Sequence, residues 1–217
     1  MSAETSVGSS CVPSREPFPL PQPLLEEVVA AAPFGQAASL AFAIGRCRAA
    51  GSAMVVMSRG ERREFGRPSL HGVAALRTGP LLMIVTPTAA DALWAMEQAL
   101  KSGALAGVIG VIEAVSLTQT RRLDFAARDG ATPALLLRAR GGGLSAARRR
   151  WRIAACAARA HPFDAAAPGA ARLWAQLVRQ RDGPPGEWLL DTHADGGFAV
   201  AAALAADRPR EIGRRAA

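Results

Sequence analysis

Apolar and polar positions along the chain change period several times, and the changes mark its elements. Leu40, Ile44 and Cys47 recur at helical spacing ahead of Gly51, and the β-branched run over 53–57 follows at once, predicting a helix and then a strand. A looser stretch over 59–68 leads into a short helix ending at Leu76. The run 81–86 predicts a second strand, whose all-apolar character suits a sheet covered on both faces. Thr88 with Asp91 three residues on has the form of a capping box, Leu93, Met96 and Leu100 share one face, and Gly103 stands where the helix should stop. Strands over 107–112 and 134–137 and a helix over 118–129, closed by Gly130, complete an alternation of strand and helix.

Short connections between alternating strands and helices call for parallel strands with right-handed crossovers, because a tight hairpin cannot close a parallel pair. From Gly141 the texture changes. Strand-like runs over 150–157, 173–179, 187–191 and 198–202 are separated by Gly, Pro and Asp turns, which predicts hairpins or a meander. The expected fold is α/β: a mostly parallel sheet flanked by helices and extended by C-terminal antiparallel strands.

Both ends read differently. Pro13, Pro17, Pro19, Pro21, Pro23 and Pro33 favour an extended backbone without ladder hydrogen bonds, so residues 1–33 are expected to be a Pro-rich flexible leader, with a short helix over 24–32. Residues 34–205 form the expected core, and residues 206–217 an Arg-rich tail.

Composition narrows the function classes. At 217 residues, 50% hydrophobic, the chain can bury one substantial core. It has no apolar run near the roughly 20 residues of a membrane span and no secretory leader pattern, so a soluble, cytoplasmic protein is expected. Cys11, Cys47 and Cys156 are widely spaced and suit reduced thiols, while His71, His161 and His193 lack metal-ligand spacing. No G-x-S-x-G nucleophile elbow occurs. The net charge of +8 favours acidic partners such as nucleic acid. Against that, Lys101 is the only lysine among 26 basic residues and Ala is abundant, as a GC-rich coding sequence would give.

A phosphate-binding P-loop reads G-x-x-x-x-G-K-[ST]: backbone amides cradle phosphate, Lys offsets its charge and Ser/Thr holds magnesium. Ahead of the first core helix this chain reads Ala31-Ala32-Pro33-Phe34-Gly35-Gln36-Ala37-Ala38, with Gln36 at the Lys position and Ala37 at the Ser/Thr position. The expectation is therefore no ATPase activity and no bound cofactor or metal. Glu113, after an apolar strand, stands where such enzymes carry a magnesium-positioning acid, although a solvated strand-end Glu is the simpler account.

Arg148, Arg149, Arg150 and Arg152 flank Trp151, and strand alternation would place Arg148, Arg150 and Arg152 on one face, to grip DNA phosphate or an acidic partner; arginines also blunt exposed sheet edges. Arg121 and Arg122 open a helix and are a second candidate contact, with a solvated face as the simpler account. Trp94, Trp174 and Trp188 are expected in the core.

The run Ala90-Asp91-Ala92-Leu93-Trp94-Ala95-Met96-Glu97-Gln98-Ala99-Leu100-Lys101-Ser102-Gly103-Ala104-Leu105 resembles the most distinctive segment of the ImuA family of bacterial translesion-synthesis accessory proteins. Arg121-Arg122-Leu123, Phe65-Gly66-Arg67-Pro68, Arg150-Trp151-Arg152-Ile153 and Gly186-Glu187-Trp188-Leu189-Leu190 extend the resemblance over about residues 24–205. It implies a RecA-like fold related to the SulA cell-division inhibitors, induction in the SOS response to DNA damage, and an adaptor role beside ImuB, an inactive Y-family polymerase relative, and an error-prone replicative-type polymerase, with RecA as a further contact. Many members of the family lack a P-loop. A sequence-independent DNA-binding module and a SulA-like division inhibitor are the alternatives.

Overall fold

The computed structural model describes residues 17–201 apart from 33–34, 48–49, 140–142, 162 and 194–195. The expected tail over 206–217 and the first part of the leader lie outside them.

The second half of the leader belongs to the fold. Leu25–Ala30 is a strand, β1, at the middle of the sheet, and no helix forms over 24–32. The helix reading fails because β1 carries two acids, Glu26 and Glu27, that hide its apolar pattern, yet both are buried and paired by arginines. After β1 come α1 (Gln36–Arg46), β2 (Ala53–Ser58), α2 (Arg59–Phe65), α3 (Leu70–Ala74), β3 (Leu81–Thr86), α4 (Ala89–Lys101), β4 (Gly107–Val111), α5 (Leu117–Asp129) and β5 (Ala134–Arg138). Then follow β6 (Arg149–Cys156), a two-stranded ribbon of β7 (Ala160–His161) and β8 (Asp164–Pro168), and the strands β9 (Arg172–Gln180), β10 (Gly186–Thr192) and β11 (Phe198–Val200).

The nine-stranded sheet has the order β11-β10-β9-β6-β1-β5-β4-β2-β3. Strands β6 to β3 in that order are parallel, and β9, β10 and β11 add an antiparallel meander. The α/β class, the parallel core and the C-terminal meander agree with the sequence reading. The stretch over 59–68 is more regular than expected: Ser58 accepts the Glu61 amide while the Glu61 carboxylate accepts the Ser58 amide, and this capping box starts α2.

Helices α4 and α5 cover one face, where Leu25, Val56, Met96, Leu100, Leu123 and Leu136 pack together. On the other face α1 lies over Val28, Val55, Ile109, Leu135 and Trp151, with Phe65 of α2 and Val73 of α3 against the same core. Thr88 and Asp91 cap α4 reciprocally, and Gly103 ends it at φ 64°, a backbone region that disfavours any residue with a Cβ. Strand β3 is the exception to full coverage. It is the last strand of the sheet, and Leu82, Ile84 and Val85 are exposed, so its apolar character does not reflect burial on both faces. No helix among the described residues is long and apolar enough to cross a membrane.

Candidate interaction surface of α4 and α5

The strand β1, the loop after it and α1 form the strand–loop–helix unit that carries a P-loop in nucleotide-binding α/β proteins, and the loop opens at the carboxyl ends of the parallel strands, where such folds bind ligands. Gly35 is the N-cap of α1 and its amide donates to Ala32 O. A Cβ there would lie 3.0 Å from Ala32 O and 3.1 Å from the Ala30 Cβ, which favours Gly in this tight turn. Gln36 and Ala37 open the helix without cation or hydroxyl; Pro33 and Phe34 lie outside the described residues. Lys101 is on α4, where its ammonium donates to Glu97 at 2.7 Å.

Glu113 is half-buried at the end of the sheet and is held by its neighbours. Its carboxylate accepts the Ala139 amide at 2.6 Å, its own amide donates to Glu61 Oε1, and Arg138 Nε donates to its carbonyl, so it ties the ends of β4 and β5 together. No group of three His, Cys, Asp or Glu that could hold a metal ion occurs among the described residues.

Of the arginines around Trp151, Arg149, Arg150 and Arg152 lie on β6 and Arg148 just before it, and β6 runs between β1 and β9, so the sheet-edge account of them does not hold. Adjacent residues of β1 face opposite sides of the sheet, and each of its acids recruits arginines on its own side. On the α1 side Glu26 accepts from Arg46 NH2 at 2.7 Å, Arg149 NH1 at 3.2 Å and the Trp151 indole at 2.6 Å. The Arg46 guanidinium also stacks on Phe18, Phe42 and Trp151. On the opposite side Glu27 accepts from Arg138 NH1 at 3.0 Å and Arg150 Nε at 2.7 Å. Arg148 lies between Asp124 and Asp182. Thus Arg148, Arg149 and Arg150 are engaged inside the fold, whereas Arg152 is exposed and makes no ion pair among the described residues.

Exposed aromatic and basic side chains occur together on α4 and α5. Glu97, almost buried between the helices, accepts from Lys101 Nζ at 2.7 Å and Arg122 NH2 at 2.6 Å. The Lys101 hydrogen bond, with Arg122 adding its charge, holds the Glu97 carboxyl below the usual carboxylate range. Trp94 is 64% exposed, contrary to the expected core position, while Trp174 and Trp188 are buried as expected. Helical geometry explains the difference: the buried stripe runs through Leu93, Met96, Glu97 and Leu100, and Trp94 is turned about 100° from Leu93. Trp94, Ala90, Gln119 and Arg122 line a shallow groove of about 210 Å³ between the helices. Elsewhere on α5 Phe125 is 66% exposed with Arg128 over its ring, and Arg121 is exposed.

Of the six arginines singled out from sequence, the structure sets Arg122 in a groove with Trp94, leaves Arg121 exposed on the same helix, and draws Arg149 and Arg150 inward. Trp94 and Phe125 were the missed members. The signal for Trp94 was in the sequence, since a residue next to an inward Leu falls on the flank of an amphipathic helix. A surface with exposed Trp, Phe and Arg suits a protein interface, because these side chains provide large contact area and directed hydrogen bonds.

No family model matches the chain, and no curated protein matches it in sequence. Among solved structures, the RadB recombinase superposes with a TM-score of 0.50 at 11% identity, over 82% of this chain and 90% of that one. SulA from Pseudomonas aeruginosa superposes with a TM-score of 0.39 at 17% identity, over 54% of this chain and 98% of that one. The likeness to RadB is one of fold, and with the parallel sheet and its flanking helices it makes this an α/β protein of RecA-like fold.

Proposed function

We propose that the chain is a non-catalytic accessory protein of SOS-induced translesion DNA synthesis, an adaptor that contacts an ImuB-like polymerase relative, an error-prone replicative-type polymerase and RecA. One observation carries the reading: the run 90–105, which bears the ImuA resemblance, builds α4, and its Trp94 stands in solvent beside Arg122. A large aromatic left outside forgoes about 1.5–3 kcal/mol of burial, which a partner would restore. In this reading the loop after β1 hydrolyses no ATP, because Gln36 and Ala37 supply neither the phosphate-binding cation nor the metal-binding hydroxyl.

The test is a pull-down of the purified components. The wild-type chain should retain ImuB and RecA, and Trp94→Ala should weaken retention by roughly tenfold or more, the effect of losing an aromatic anchor. Failure of the wild-type chain to retain either protein overturns the adaptor role. Saturable ATP binding in calorimetry overturns the nucleotide reading.

A second reading, a sequence-independent DNA-binding module, is favoured by the net charge of +8 and the exposed Arg121 and Arg152. It requires a mobility shift of DNA that weakens steeply with salt, and a salt-insensitive result excludes it.

A further inference from the structure

A groove of about 580 Å³ lies along α1, on the sheet face opposite α4 and α5. One wall is α1 itself, where Ala37 and Ala41, a turn apart, leave little side chain in the way and Leu40 faces the opening. Phe65 and Val73 form the facing wall and Phe198 of β11 closes one side. The lining is mostly apolar, and α1 runs beside it from Gln36 to Ile44, about 12 Å at 1.5 Å per residue. Small residues on one helix let a second helix approach closely, and a groove of this kind accepts apolar anchors at positions i, i+3, i+4 and i+7.

The rim has a definite sign. Arg67 is the one charged residue of the lining and is exposed, while Arg62 and Arg63 lie on α2 outside the lining. None of the three makes an ion pair among the described residues. The Glu61 carboxylate is held by the amides of Ser58 and Glu113, leaving Glu64 as the uncommitted acid of α2. A second copy of this chain would bring its own net charge of +8 to this rim. An acidic partner would meet complementary charge.

We infer that the groove along α1 is a docking site for an amphipathic, acidic helix of a partner protein, with apolar residues against Ala37, Ala41 and Val73 and a carboxylate toward Arg67. This names a second contact surface for the adaptor and rests on that reading.

The probe is a fluorescein-labelled peptide of about 18 residues, about five helical turns, with Leu at i, i+3, i+4 and i+7 and Glu on the flanks. Its controls are a scrambled peptide of the same composition and one with Lys in place of Glu. Anisotropy with the full chain should show saturable binding of the Glu peptide, with the Lys and scrambled peptides at least about tenfold weaker. Ala41→Trp, which fills the groove, and Val73→Glu on the facing wall should each abolish binding, and Arg67→Glu should weaken it; a melting curve for each variant keeps loss of fold separate from loss of docking. No saturable binding, equal binding of the scrambled peptide, or binding that survives both groove substitutions overturns the inference. A wild-type dimer in sedimentation that Ala41→Trp abolishes assigns the groove to a second copy and also overturns it. Any of these leaves the retention of ImuB and RecA through Trp94 to be decided by its own pull-down, so the two failures are distinguishable.

Discussion

Glu26→Ala tests the arrangement on which the centre of the fold depends. The Glu26 carboxylate is 3% exposed and accepts from two guanidinium groups, Arg46 and Arg149, whose side chains are 2% and 10% exposed, and from the Trp151 indole. Removing it leaves two buried positive charges without an anion. Breaking a buried ion pair from one side costs about 3–5 kcal/mol, because the remaining charge keeps its desolvation penalty. The indole also loses its acceptor, but the lost contacts overlap and do not add, so the predicted loss is about 4 kcal/mol, a large part of the roughly 5–15 kcal/mol that holds a typical domain folded. Urea unfolding followed by tryptophan fluorescence measures this directly, and melting should fall by about 8–16 °C, at roughly 2–4 °C per kcal/mol for a chain of this size. Glu64→Ala, at an exposed carboxylate, is the control and should stay within about 0.5 kcal/mol. A loss below about 1 kcal/mol for Glu26→Ala would mean that Arg46 and Arg149 reach water when their partner is gone, and would refute the sealed network.

Three further outcomes follow from the packing and the titrating groups. A Cβ at Gly107 would lie 2.5 Å from Cys47 Sγ, so Gly107→Ala should lose about 1–3 kcal/mol in urea unfolding, and Cys47→Ala should recover much of that loss in the double variant. Burial pushes the Cys47 thiol up to about 12, so in the native protein at neutral pH it should resist maleimide while unfolding in urea exposes it, as mass spectrometry of the labelled peptides will show. The folded-state pKa of Glu97 is depressed below its usual value near 4.5, so its contribution is fully present above that pH and is lost as pH falls through the lower folded value. Melting curves taken through acid should therefore drop more steeply for wild type than for Glu97→Gln, and parallel curves would contradict the pairing with Lys101 and Arg122.

The local elements were legible wherever period and punctuation agree. The Thr88–Asp91 capping box, the Leu93-Met96-Leu100 face and Gly103 define α4 by short-range physics, and the alternation of apolar runs with helices required parallel strands. The same signals misread β1 and the surface. The acids of β1 look like solvent-facing residues until Arg46, twenty positions on, and Arg149, more than a hundred on, fold against them. The segment over 17–20 looks like part of a Pro-rich arm until Arg46 and Arg149 donate to the Pro19 and Leu20 carbonyls and Phe18 enters the cluster of Phe42, Trp151 and Trp188.

By itself the sequence determined the α/β class, the limits of most helices and strands, and the presence of Gln36 and Ala37 at the Lys and Ser/Thr positions after β1, since these depend on residues that are neighbours along the chain. The tertiary structure decided which apolar strand stands at the edge, which arginines are spent on buried acids, and that Trp94 faces solvent while Trp151 lies at the centre. Those outcomes depend on pairings between segments far apart in sequence, where charge is neutralised and water excluded only once the sheet has assembled.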